Sequence, residues 1–275
     1  MLKDVTLGQF FPGNSILHRL DPRMKLIMTL LYIVIIFLAK DLIAVFLLAV
    51  LSFLFVPIGK IPMKTILKSL KPLRFILIFT SFFNLFFRTG DRLLFGWHFI
   101  HIYLEGVVFT VVIAVRIIAL LVGTTMLLTY ATSPIALTDA IEQLLAPLCK
   151  IHLPVHEFAM MMTIALRFIP TLIEETDKIM SAQKARGADF ETGSLLHRAK
   201  ALIPIFIPLF VSSIRRASDL ATAMECRCYH GGEGRTRMNI LHYHGRDFVA
   251  LSLMVILGAG IVAMWWLKLP AILYI

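Results

Sequence analysis

The sequence predicts an all-α integral membrane protein, with about five transmembrane helices plus a cytoplasmic domain of long amphipathic helices. Three observations lead there. Of the 275 residues, 59% are hydrophobic and only 16% charged, and the mean hydropathy is +0.84, far from the balance of a soluble domain. The apolar residues gather in runs approaching the length of a bilayer crossing, and the basic residues gather in some of the connections between those runs and not in others. Two further stretches keep helical periodicity while collecting their charges on one side, as a helix half in water does.

The first run, Leu26–Ala39, is followed after only Lys40-Asp41 by Leu42–Val56, so the pair reads as a helical hairpin with a very short turn. Both are short of the roughly 20 residues a crossing needs, and Met24, Pro57 and Ile58 extend them. The third run, Phe75–Phe87, is rich in aromatic residues and begins near Pro72. The fourth, Val107–Tyr130, is interrupted only by Arg116, and the last, Phe248–Leu267, closes on Trp265 and Trp266. A charge inside a span is costly, so Arg116 either faces protein or water or lies close to an interface.

Loop charge orients these spans. Lys3, Arg19, Arg23 and Lys25 precede the first, and Lys60, Lys64, Lys68, Lys71 and Arg74 lie between the second and third. Both segments are therefore expected inside. The first hairpin turn balances one Lys against one Asp, and the Arg88–Glu105 connection balances two Arg against two acids, which places them outside. The expected organisation is a cytoplasmic segment at 1–25, four spans within 26–130, a cytoplasmic domain at 131–246, and a last span with an external C-terminus at 247–275.

Two apolar runs inside 131–246, Phe158–Leu172 and Ala201–Ile214, carry enough hydropathy to compete as spans. The first contains Arg167 and Pro170 and keeps helical spacing through Phe158, Met161, Met162, Ala165, Ile169, Leu172, Ile173, Thr176, Ile179 and Met180, with Arg167, Glu174, Glu175 and Lys178 elsewhere. The second contains Pro204 and Pro208 and continues through Phe206, Phe210, Ser213, Ile214, Ala217, Leu220, Ala221 and Met224. Both read as long amphipathic helices. A further pair of spans leaves the orientation of both ends unchanged, so charge counting does not separate the two readings.

His156–Arg186 as continuous helix reaches about 45 Å, and Leu195–Arg227 makes a second arm of similar length. The first stops at Ala185-Arg186-Gly187, where a glycine relieves the left-handed cap and an arginine suits the negative end of the helix dipole. That alone is a cap. A second arm ending at Cys226-Arg227-Cys228, again with arginine in the final turn, suggests paired contacts. A planar guanidinium offers several directed hydrogen bonds where lysine offers a point charge.

At this point the chain resembles a known family. Phe11-Pro12-Gly13-Asn14-Ser15 and Leu17-His18-Arg19-Leu20-Asp21-Pro22-Arg23-Met24-Lys25-Leu26, then Arg167-Phe168-Ile169-Pro170, Ala185-Arg186-Gly187 and Ala223-Met224-Glu225-Cys226-Arg227-Cys228-Tyr229, resemble the T component of energy-coupling-factor (ECF) type ABC transporters. The resemblance implies a noncatalytic coupling subunit of a prokaryotic cell membrane, with two cytosolic ABC-type ATPases and a small integral substrate-binding S component as partners. It implies ATP bound by the ATPases and no cofactor of the chain's own. It further implies that Ala185, Arg186, Gly187, Cys226, Arg227 and Cys228 bind the ATPases, and that vitamins or other micronutrients are the cargo. The family's second tip is usually Ala-Arg-Gly, so Cys-Arg-Cys is a departure.

Other readings are weaker. A net charge of +10 is accounted for by positive loops, so nucleic acid is not expected as a partner. The odd set Cys149, Cys226 and Cys228 falls in the expected cytosolic region and predicts no disulfide. The first 25 residues do not read as a cleaved signal peptide. A metal site from Cys226, Cys228, His230, His242 and His244 is poorly spaced, because Cys-x-Cys on a helix splays the two thiols about 200° apart. Met160-Met161-Met162 reads as adaptable packing. Gly231-Gly232-Glu233-Gly234 lacks the lysine of a phosphate-binding loop, and Gly231–Arg237 reads as a flexible turn. A pore-forming permease of a conventional transporter needs a polar pathway that Arg116 and Asn84 scarcely supply. A membrane-embedded metalloprotein needs acids or histidines at membrane depth, and Asp and Glu are almost absent from the spans.

Overall fold

The computed structural model describes residues 11, 13–39, 41–87, 93–97, 100–151, 153–190, 192, 194–231 and 241–266. Within them the order is α1 (Pro22–Leu38), α2 (Leu42–Gly59), α3 (Met63–Leu70), α4 (Arg74–Phe87), β1 (Leu93–Trp97), β2 (Ile100–Tyr103), α5 (Leu104–Thr124), α6 (Pro134–Leu145), α7 (Val155–Ala185), α8 (Leu195–Glu225) and α9 (Gly245–Trp266). The all-helical expectation holds for the architecture. The small antiparallel hairpin β1–β2, with Phe95 opposite Ile102 and Trp97 opposite Ile100, occupies a connection for which the sequence reading placed no element. The chain divides into two compact units, one within Gly8–Ala140 and Leu241–Ile275, the other within Ile141–Ile240.

Among the described residues five helical segments are long and apolar enough to cross a membrane: α2, α5 with its continuation to Tyr130, α7, α8 and α9. The number agrees with expectation while the membership differs. Helix α1 has 17 residues and α4 has 14, short of an unassisted crossing, whereas α7 and α8 have 31 each. Lipid thinning and snorkelling side chains are the usual remedies for short spans. Leu267 and the side chains of Trp265 and Trp266 lie outside the described residues, as do positions 232–237 of the expected turn.

The first unit builds its interior from α1, α2, α5 and α9. Helix α1 starts where local chemistry dictates. Asp21 accepts a hydrogen bond from the backbone N–H of Arg23 at 2.8 Å, and Pro22 fills the first helical position, where an N–H has no partner to lose. Met28, Tyr32 and Ile36 of α1 pack with Val45 and Leu48 of α2, Val112 and Ala119 of α5, and Met254 and Ile261 of α9. The lipid side of the same helices exposes Phe37, Phe46 and Leu54.

Most polar groups inside this unit are paired, as an apolar surrounding requires, Asp41 Oδ1 and Arg116 Nε being buried without a hydrogen-bond partner. The Tyr32 hydroxyl lies 2.6 Å from Ser52 Oγ and donates to the Ala119 carbonyl at 2.8 Å, joining three helices. Gly123 makes room for that ring: a Cβ there would meet the Tyr32 ring carbons at 2.5 Å. Arg116 donates from Nη2 to the carbonyl of Ala39, the residue capping α1. It thus sits against the α1–α2 turn from the middle of its own helical span, Leu104–Tyr130. The end of α5 widens into a π-helical turn over Thr125–Tyr130, and the Lys25 ammonium, 2% exposed, donates to the Ala131 carbonyl at 2.7 Å.

Asp247 is the least conspicuous of these joints in the sequence. It is fully buried, and its carboxylate accepts from the N–H of His244 at 2.8 Å and from the N–H of Asp21 at 3.0 Å. The first bond caps α9 in the manner of a capping box; the second ties the start of α9 to the start of α1. Arg23 completes the joint, donating to Asp21 at 3.0 Å and to the Leu241 carbonyl at 2.9 Å while lying 3.9 Å from the centre of the Tyr243 ring. An acid in the first turn of a helix is the signal that marks it.

Candidate functional site: two packed arms and their tips

The second unit is dominated by α7 and α8, each about 46 Å long at helical rise. They pack on one another despite Pro170 in α7 and Pro204 and Pro208 in α8. Between them lies an apolar cavity of about 290 Å³ lined by Ile164, Phe168 and Leu172 of α7 and by Ser213, Arg216, Ala217, Leu220, Ala221 and Met224 of α8. An ion pair crosses the seam: Arg216 Nη2 donates to Glu175 at 2.6 Å. A hydrogen bond from Ser212, with the Arg216 guanidinium, holds the Glu175 carboxyl below its ordinary value.

The inward stripe of α8 differs from the expected one over its first half. Ile205, Leu209, Ser213, Arg216, Leu220 and Met224 are its less exposed positions, while Phe206, Phe210 and Ile214, expected on the packed face, are 62%, 67% and 52% exposed. On α7, Phe158 and Met161 are likewise exposed and Ile164 and Phe168 line the seam. The period is the expected one, and the phase differs over the first half of each arm but agrees towards the tips, where Ile169, Leu172, Ile173, Thr176, Ile179 and Met180 of α7 are half-buried and Ser213, Ala217, Leu220, Ala221 and Met224 of α8 line the seam. A helix with apolar residues over more than half its circumference does not announce which of them faces its neighbour.

The two tips share one geometry. At the end of α7, Gly187 adopts φ +88, its N–H donates to the Lys184 carbonyl at 3.0 Å and that of Ala188 donates to Gln183 at 3.0 Å. At the end of α8, Cys228 adopts φ +56, its N–H donates to Glu225 at 2.9 Å and that of Tyr229 donates to Met224 at 3.1 Å. This is the Schellman closure at both ends, and in both an arginine immediately precedes the left-handed residue. Ala185, Arg186, Gly187, Cys226, Arg227 and Cys228 are all exposed. Among the described residues neither Arg186 nor Arg227 forms an ion pair or a side-chain hydrogen bond.

The expectation that both thiols ride on one helix is corrected by this geometry. Cys228 has left the helix, so the 200° splay does not describe the pair. Among the described residues no group of three or more His, Cys, Asp or Glu side chains is gathered for a metal, and the three cysteines are free and exposed. His244 is instead bonded to the carbonyl of His242 at 2.9 Å.

Comparison with known proteins places this geometry in a family. Residues 13–238 match the CbiQ family, described as a cobalt transport protein. The protein called energy-coupling factor transporter transmembrane protein EcfT in Clostridium kluyveri is 49% identical over 271 residues, covering 98% of this chain and all of that protein. The protein of the same name in Ruminiclostridium cellulolyticum is 49% identical over 96% of this chain and 98% of its own. That of Bacillus subtilis is 44% identical over 94% and 97%.

Proposed function

Because the chain belongs to the CbiQ family and is a transmembrane T component of an energy-coupling factor transporter, we propose that its two arms are the couplers through which cytosolic ATPases drive the membrane body. The chain is a membrane subunit of a transporter. In this reading each arginine tip enters a groove on one ATPase of a pair, the ATPases bind and hydrolyse ATP, and the motion reaches a small integral S component that carries a vitamin or other micronutrient.

The observation that carries the proposal is the matched pair of tips. Two packed 31-residue helices end in the same closure and leave Arg186 and Arg227 exposed with no partner of their own among the described residues. A guanidinium presented on a rigid helix end meets a carboxylate or carbonyl partner with little further ordering. A hydrogen bond to such a charged group contributes about 1.5–3 kcal/mol. The exposed apolar faces of α7 and α8, with Phe158, Met161, Phe206 and Phe210, favour lipid or the membrane-embedded S component as their cover, since patches of this kind mark interaction surfaces.

The test is copurification. Tagged chain carrying Arg186→Glu and Arg227→Glu, extracted from its native membrane, is expected to lose both ATPases while retaining its helical content. Each single variant weakens the association by roughly tenfold or more, given the contact energy above. Undiminished assembly and uptake in the double variant would overturn the proposal.

A further inference from the structure

The connection between α2 and α4 holds five cations, Lys60, Lys64, Lys68, Lys71 and Arg74, and no Asp or Glu occurs anywhere from residue 42 to residue 90. The sequence reading used these charges only for orientation. The structure folds their centre into α3, anchored on one side. Ile66 is 2% exposed and packs with Val56, Ile61, Val122, Met126 and Tyr130, and Leu70 lies against the same cluster. The free side is unusual for a water-facing helix. Met63 and Leu67, one turn apart, are 46% and 59% exposed, and Lys64, Lys68 and Lys71 are exposed beside them. Helical spacing sets the apolar pair between the buried residues and the lysine stripe. Among the described residues none of the five cations forms an ion pair.

We propose that α3 is an interfacial anchor that binds anionic phospholipids. Met63 and Leu67 enter the acyl boundary, and Lys64, Lys68 and Lys71 reach the headgroup phosphates. Its place in the chain supports this occupant. Only Lys60, Ile61 and Pro62 separate it from the end of α2, a helix long and apolar enough to span, so its free face is held at the level where hydrocarbon gives way to headgroups. An isolated helix of 8 residues has too little surface to hold a membrane; tethered between helices it pays no association cost and needs only a modest local preference. Uncompensated cations at that depth each favour an anionic surface by roughly fivefold. An acidic protein partner suits the lysines but leaves Met63 and Leu67 without a reason to be apolar.

The full chain in nanodiscs of phosphatidylcholine mixed with phosphatidylglycerol, each lipid spin-labelled in turn, reports which one is held at the protein surface. The wild type is expected to prefer phosphatidylglycerol, with the preference falling as salt is raised. K64Q/K68Q/K71Q should lower it by at least fivefold and at most about a hundredfold, the product of roughly fivefold for each of three lysines, while K64R/K68R/K71R, which keeps the charge, retains it. Both variants should keep the wild-type circular dichroism spectrum, because all three lysines are exposed. An unchanged preference in the glutamine variant overturns the proposal. So does an unchanged preference accompanied by loss of copurifying subunits, which would assign the lysines to an acidic protein surface instead.

Discussion

The helices α1, α2, α5 and α9 of one unit are the more apolar and α7 and α8 of the other the more charged, and the two units have opposite internal economies. In the first, hydroxyls, a lysine and two aspartates are drawn inside and each finds a partner: Tyr32 with Ser52 and Ala119, Lys25 with Ala131, Asp247 with Asp21 and His244. In the second, two helices of equal length meet along a seam with a cavity and a cross-seam ion pair, and Phe206 and Phe210 stand in the open. Rigidity follows from the first pattern and availability from the second. A body that must keep its shape satisfies its polar groups internally, whereas arms that must exchange partners leave surface for them.

Substitutions test that contrast, and the largest effect is expected in the body. Asp247→Ala strands the N–H groups of Asp21 and His244, and stranding buried donors costs on the order of 3 kcal/mol. Thermal unfolding of the detergent-solubilised chain should shift down by several degrees, and an unaltered midpoint would show that the body does not depend on its buried polar joints. Gly123→Ala comes next. The added methyl meets the Tyr32 ring and costs about 1–3 kcal/mol by overpacking, and Tyr32→Phe should partly rescue it if the hydroxyl end of the ring is what cannot move.

In the arms the same measurements should move less. Glu175→Gln removes a partly exposed pair, so a stability change within about 1 kcal/mol is expected, while uptake by the assembled transporter falls because the seam is loosened. Acid should act in the same sense. The Glu175 carboxyl is held below its ordinary value, so its contribution is complete above the unfolded value of about 4.3 and disappears as pH falls through the lower folded value. Uptake that declines between pH 7 and 5 in the wild type but not in the Gln variant would contradict this window. The smallest effect belongs to a tip. Cys228→Gly relieves a left-handed non-glycine residue and should stabilise by a few tenths of a kcal/mol to about 1, leaving ATPase copurification intact; loss of copurification would mean that the thiol itself makes the contact.

Much of this was legible in the chain. The run Leu42–Val56, extended by Pro57 and Ile58, falls one residue short of α2, and the arm expected over His156–Arg186 is α7 within one residue at either end. The expected cap at Gly187 has the left-handed backbone that glycine permits. Helix α3 was passed over because eight residues interrupted by charge give too short a window for periodicity to stand out from a basic loop. The β1–β2 hairpin was passed over because its strands lie inside a short connection already assigned to the outside. Asp247 was missed for a different reason: nothing local distinguishes a capping acid that also binds a residue 226 positions away.

Apolar run length, proline and glycine punctuation and the distribution of lysine and arginine are properties of consecutive residues, so the sequence by itself determined the membrane class, the two arms and the arginines at their ends. Only the tertiary structure decided which side of the first half of each arm turns inward, why position 123 must lack a side chain, and that the end of α8 closes as the end of α7 does with a cysteine where the other has glycine. Those outcomes depend on the rotation of one helix against another and on contacts between residues far apart in the chain, and periodicity fixes the spacing of a face without fixing its direction.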